Sequence, residues 1–179
     1  TIGDLPVGEK ILVCFFHSVT LRTAGFASFD NGAMTDGAKM LSMLYMFIGG
    51  ASGSTAGGVK VVTVGVLLWS VVSVAVGRKR AVLFGRRIPE EACIRASAVI
   101  TFQLFLILIG ALVLNAAVSA GTGIVNILYE VVSAVSTVGV TTGITPGLSV
   151  ASKLVLAALM YFGRVGILSV TCAISANLQ

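Results

Sequence analysis

Charge is scarce in this chain. Of its 179 residues only 11% are charged while 56% are hydrophobic, and the mean hydropathy is +1.03. An ordinary soluble domain is about 25% charged, so water is excluded as the main solvent. There is a single histidine, His17, and hence a single conventional candidate for a catalytic base. The three cysteines, Cys14, Cys93 and Cys172, are odd in number and have neither disulfide nor metal-ligand spacing; they read as small apolar residues. The first residues show no initiator Met and no signal peptide, and polar residues run straight into Ile11 to Phe16. This is the pattern expected of the middle of a longer protein.

Long apolar runs dominate what is present. A membrane-crossing helix needs roughly 20 predominantly apolar residues, and Val61 to Gly77, Ala92 to Val118 and Ala151 to Ala176 supply or nearly supply three such runs. The net charge of +5 comes largely from Arg78, Lys79, Arg80, Arg86 and Arg87, between two of these runs. The segments on the far side, 119–123 and 143–150, carry no charge. By the positive-inside rule residues 78–91 face the cytoplasm, and topology accounts for the basic cluster without nucleic acid.

The chain also repeats itself. Thr23-Ala24-Gly25-Phe26 lies over Thr137-Val138-Gly139-Val140 at an offset of 114 residues, and the same offset places Lys39 over Lys153, Met46 over Met160, Phe47 over Tyr161 and Gly49 over Gly163. Each copy begins with a short apolar segment, Ile11 to Leu21 or Ile124 to Ser136, of roughly 17 to 20 Å as helix. That crosses little more than half of a ~30 Å hydrocarbon layer. Non-helical backbone at such depth survives only where protein or a wet cavity surrounds it, so the T-x-G turns that follow should face a pore. Asp36 to Gly77 poses the opposite problem: as one helix it would extend about 63 Å. It must break, and Gly49 to Gly58 is the site, with five glycines that each cost about 1 kcal/mol relative to alanine in a helix interior.

Paired T-x-G turns suit cation selection, because backbone carbonyls can replace an ion's hydration shell and glycine permits the positive φ that turns them inward. The C-terminal end of each short helix adds negative potential. A charge such as Arg164 in the middle of an apolar run costs at least ~2.5 kcal/mol, and the sequence supplies no acidic residue within two helical turns of it. The repeat places it over Gly50. Glu130, on the second short helix, either holds that helix through hydrogen bonds or adds negative potential for a cation. His17 reads as a hydrogen-bonded structural residue, and Arg95, Gln103 and Asn115 as interhelical or interfacial contacts. Two rival readings exist. Gly50-Ala51-Ser52-Gly53 matches the rhomboid-like G-x-S-G of intramembrane serine proteases, with His17 as the sole base, but that mechanism leaves the repeat unexplained. A nonconducting membrane subunit is the other. A phosphate-binding loop is excluded, since Gly58 is followed by Val59 and Lys60.

Arg22-Thr23-Ala24-Gly25-Phe26, the stretch Phe47 to Lys60 and Gly163-Arg164-Val165-Gly166 resemble the Trk/Ktr/HKT potassium transporters, and Gly85-Arg86-Arg87-Ile88 looks more Ktr-like than Trk-like. The resemblance implies an all-α polytopic membrane fold of helix–pore loop–helix repeats. Residues 1–77 would be the end of a third repeat, 78–91 a cytoplasmic basic loop and 92–179 a fourth, the N-terminal half lying elsewhere. It further implies potassium uptake, with sodium as a second ion or coupling partner, through a filter formed by Thr23, Ala24, Gly25 and Phe26 with Thr137, Val138, Gly139 and Val140. A gate of Gly49, Gly50, Ser52, Gly53, Ser54, Thr55, Gly57 and Gly58 with Arg164 would lie beneath; Lys60 belongs to it or snorkels to the interface. No covalently bound cofactor and no enzymatic activity are implied. The implied setting is the lipid bilayer of a bacterial plasma membrane, crossed several times, in a homodimer on a cytoplasmic ring of nucleotide-binding regulatory subunits.

Overall fold

The computed structural model describes residues 3, 5–54, 56–77, 82–83, 86–118 and 122–176. Arg78, Lys79, Arg80, Gly85 and Thr55 lie outside the described residues. Six helices carry the fold: α1 (Val7–Thr20), α2 (Asp36–Phe47), α3 (Val61–Ala75), α4 (Glu90–Ala117), α5 (Ile124–Val135) and α6 (Val150–Ala176). The only strands among the described residues are β1 (Val82–Leu83) and β2 (Arg86–Arg87), which pair antiparallel. The class is all-α.

The repeat seen in the sequence is repeated in the backbone. Short 3-10 turns occupy Asn31–Ala33 and Thr145–Gly147, and α2 and α6 begin at Asp36 and Val150, each pair 114 residues apart. The two copies then diverge. α6 continues to Ala176, whereas α2 stops at Phe47 and helix resumes only at Val61.

Of the three apolar runs, one changes character. Val61 to Gly77 is helical for only 15 residues, about 22 Å at 1.5 Å per residue, too short to cross alone. Glycine and the turn residues around it, not hydropathy, set its length. Among the described residues α4 is the one helix both long and apolar enough to cross a membrane, 28 residues with a window hydropathy of 2.5. Its outward side chains include Leu104, Phe105, Leu108 and Leu112, all exposed, as a lipid-facing surface requires. Glu90 and Glu91 sit in its first turn, where they complement the helix dipole.

α4, α5 and α6 pack against one another, α2 packs on α5, and α3 on α4. Gly110 lets the first three meet: a Cβ there would lie 2.6 Å from Leu159 Cδ1 and 2.9 Å from Val131 Cγ1. Leu114, Ile127, Val131, Val135, Leu156 and Leu159 fill that junction. A second cluster joins the two copies, with Leu21 and Met46 from the first against Tyr129, Val132, Val138 and Val140 from the second. As a result α5 is buried from Tyr129 to Val135, while its counterpart α1 exposes Ile11, Leu12, Phe15, Phe16 and Val19.

Candidate ion path

Each short helix ends in a turn of unusual backbone. Thr23 has φ 70° and Thr137 φ 55°, and among the described residues no other non-glycine residue has positive φ. Gly25 (φ 78°) and Gly139 (φ 90°) follow two residues later. A β-branched residue in this region is a true outlier, held only when its surroundings over-determine it. The surroundings are visible. Thr20 Oγ1 donates to Phe26 O (2.7 Å) and accepts from Phe26 N (2.8 Å), while Ser133 Oγ donates to Val140 O (2.6 Å). A hydroxyl from the last turn of each short helix thus pins the far end of its T-x-G segment. Alternating the sign of φ along 23–25 and 137–139 turns successive backbone groups toward one side, the arrangement a carbonyl-lined ion site needs.

The two turns are neighbours, for a Cβ on Gly25 would overlap Val138 O. Gly139, by contrast, has open space beside it. Further bonds tie the copies together: Asn31 Nδ2 donates to Thr141 O (3.3 Å), and the buried Lys39 Nζ donates to Asn126 Oδ1 (2.9 Å). Glu130, 5% exposed, accepts from Thr142 N (2.8 Å) and from the hydroxyls of Thr141, Thr142 and Thr145. Its carboxylate is spent on the segment that leaves the second turn, the structural one of its two sequence-level roles.

The glycine-rich segment is a loop closed at its root. Ile48 and Val59 form an isolated parallel bridge, Gly49 N donates to Val59 O (2.8 Å), and Val61 N donates to Gly50 O (3.2 Å). Ala51, Ser52, Gly53 and Ser54 are exposed at the tip, with Gly53 at φ 85°. Lys60 Nζ donates to Ser54 O (2.9 Å) and to Ala56 O, so it clasps the loop rather than reaching for the lipid interface. The returning limb lies under the second turn. A Cβ on Gly57 would overlap Thr137 Oγ1, and one on Gly58 would lie 3.5 Å from Ser136 Cβ. The hydroxyls of Ser136 and Thr137 are buried there without a hydrogen-bond partner. Arg164 lines a cavity of about 320 Å³ together with Ser133, Thr137, Gly139 and Met160.

The protease constellation is not assembled. His17 Nε2 meets Ser42 Oγ on α2 at 3.3 Å, and its ring packs tilted against Phe29, 4.8 Å between centroids. Sequence reasoning passed over the role of Arg22. Arg22, read only as part of a motif, donates from Nη1 to Gly49 O (3.2 Å) and lies over the Tyr45 ring. Its one signal was position, a cation immediately before the first T-x-G turn.

Two short helices ending in paired positive-φ turns, with an irregular loop beneath, define a pore-loop type of helical membrane protein. The family of TrkH cation transport proteins matches over residues 1–179, and the chain belongs to that family, whose members are membrane transporters and not enzymes. It is 44% identical over 164 residues to the potassium/sodium uptake protein NtpJ of Enterococcus hirae, covering 90% of this chain and 36% of the relative. It is 40% identical over 166 residues to the Ktr system potassium uptake protein B of Bacillus subtilis, covering 93% and 37%. The crystal structure of the potassium transporter TrkH from Vibrio parahaemolyticus superposes with a TM-score of 0.75 at 19% identity, over 96% of this chain and 38% of that one, which bears on the fold. The chain therefore spans little more than a third of the length of these relatives.

Proposed function

We propose that this chain supplies two of the four walls of a potassium uptake path in a bacterial plasma membrane. Residues 1–77 are then the end of a third repeat, 78–91 a cytoplasmic loop and 92–179 a fourth repeat. Thr23 to Phe26 and Thr137 to Val140 bind the dehydrated ion through backbone carbonyls, with potassium as the cargo and sodium as a second or coupled ion. The observation that carries this reading is the pair of positive-φ T-x-G turns, side by side at the same place in two structural repeats. A strained threonine in the same turn twice points to function.

In this reading the loop from Gly49 to Gly58, clasped by Lys60, obstructs the path beneath the filter, and Arg164 adds a positive charge at the same level. The whole protein pairs as a homodimer and sits on a cytoplasmic nucleotide-binding ring. The relative from Bacillus subtilis is named as part of a Ktr system, which supports further components. A ligand on that ring moves the loop only as far as its affinities for the open and closed states differ. The test is growth on limiting potassium, with rubidium uptake, in an uptake-deficient bacterium carrying the full-length gene. Rescue by the wild type is expected. No rescue and no ion flux, even with the regulatory partner present, would leave a nonconducting membrane subunit.

A further inference from the structure

The two copies solve one packing problem in different ways. In the second copy the inner helix is continuous, and Gly163 brings it directly onto the end of α5: a Cβ there would overlap Val135 O and leave Val135 Cα at 3.2 Å. Backbone touches backbone and nothing adjustable lies between. In the first copy the corresponding residue, Gly49, is the root of the glycine-rich loop, and a Cβ there would run into Gly57 O, within the loop itself. The gap back to the short helix is spanned instead by the Arg22 side chain, whose Nη1 donates to Gly49 O at 3.2 Å. At Arg22's place in the second copy stands Ser136, too short to reach and without a hydrogen-bond partner. A cationic bridge thus accompanies the one inner helix that is broken.

Arg22 is well placed to transmit position. It directly precedes Thr23, whose φ is 70°, and its own N–H donates to Val19 O (3.0 Å), which ties its backbone to the last turn of α1. Its guanidinium carbon stands 5.6 Å from the centre of the Tyr45 ring on α2, a cation–π distance that restrains the fork even while Gly49 O is released. The bond to a carbonyl is charge-assisted and stronger than a neutral one. It is also a single, half-buried bond, of a kind that can break and re-form.

We infer that Arg22 is a positioning residue, a strap between the first T-x-G turn and the root of the glycine-rich loop, so that the loop leaves its resting place only when the guanidinium releases Gly49 O. The inference rests on the reading of that loop as a gate. It makes the filter turn and the loop move together: displacing Gly49 pulls on the residue next to Thr23, and rearranging Thr23 loosens the loop.

The test uses the full-length protein in proteoliposomes, with Cys14, Cys93 and Cys172 changed to serine and Ser52→Cys as reporter at the exposed loop tip. Modification of that thiol by a charged methanethiosulfonate reads loop mobility independently of ion flux. Arg22→Gln is expected to speed modification about tenfold and to raise rubidium flux, with Arg22→Lys in between because it keeps the charge but not the fork. An unchanged modification rate in normally assembled Arg22→Gln protein overturns the strap. Should Arg22→Gln fail to assemble, Tyr45→Leu decides by the same readout, since it frees the guanidinium without removing it: faster modification supports the strap and an unchanged rate overturns it. Absence of rubidium flux in the wild type would instead remove the ion-path reading, while the modification rates still judge the strap.

Discussion

Gly57 lies against Thr137 with no room between them: a Cβ on the glycine would overlap Thr137 Oγ1 and come within 3.0 Å of Ser136 O. The loop and the second T-x-G turn are therefore in contact through the smallest residue available. Gly57→Ala cannot be absorbed by a flexible side-chain end, because two of its obstacles are Thr137 Cβ and backbone. The loop must back away. Rubidium uptake by Gly57→Ala should exceed wild type several-fold, with the temperature midpoint lowered by a few degrees. Uptake equal to wild type would show that the loop does not obstruct the path.

Gly139 presents the complementary case, since there is nothing within 4 Å of where its Cβ would go, yet its φ is 90°. Space is available and conformation is not. Gly139→Ser should assemble normally and lose uptake by roughly tenfold, because a strain of ~1–3 kcal/mol for a non-glycine residue in this region is relieved by turning the filter carbonyls away. Measuring rubidium uptake with and without competing sodium separates lost conduction from lost selectivity; wild-type behaviour on both would remove Gly139 from the ion path.

The buried Glu130 gives a stability prediction. Glu130→Gln keeps an oxygen for Thr142 N (2.8 Å) but loses charge-assisted acceptance from several threonine hydroxyls. A cost of about 1.5–3 kcal/mol is expected, seen as a lower thermal midpoint of the purified protein. Glu130→Ala should cost more, as it also leaves a buried N–H unsatisfied. If both variants melt like the wild type, the carboxylate is not what holds the segment after the second T-x-G turn.

Which of these features could be read in advance depends on whether the signal was local. The two short helices were legible because each apolar segment is brief and ends at a T-x-G turn, and the break between α2 and α3 because glycines cluster there. The repeat carried over to the 3-10 turns and the starts of α2 and α6 because one offset governs both copies. The short length of α3 was not legible: Val61 to Gly77 has the hydropathy of a crossing helix whatever its neighbours do. Neither was the pinning of the T-x-G segments, where Thr20 and Ser133 do the same work one residue out of register with the repeat. The bonds from Arg22 to Gly49, Lys39 to Asn126 and Asn31 to Thr141 join residues 27, 87 and 110 apart, and no periodicity along the chain announces them. Lys60 is compatible with two roles because a lysine at a helix start can serve either; its bonds to the Ser54 and Ala56 carbonyls are visible only in the fold.

Arg164 brings these strands of argument to one experiment. It lines the same cavity as Thr137 and Gly139, so under the proposed function a cation leaving the second turn would approach a guanidinium. Two like charges about 8 Å apart repel by ~2 kcal/mol at an effective dielectric of ~20, enough for roughly a thirtyfold effect on passage. Part of that is screened, because Arg164 is exposed. Arg164→Ala should therefore raise rubidium flux about tenfold, while Arg164→Lys, which keeps the charge, stays near wild type. The comparison separates charge from bulk: Arg164→Met, long but neutral, should resemble alanine if repulsion governs passage and lysine if the side chain acts as a plug. A flux in Arg164→Ala equal to wild type would dismiss the residue as a barrier and leave the glycine-rich loop to close the path alone.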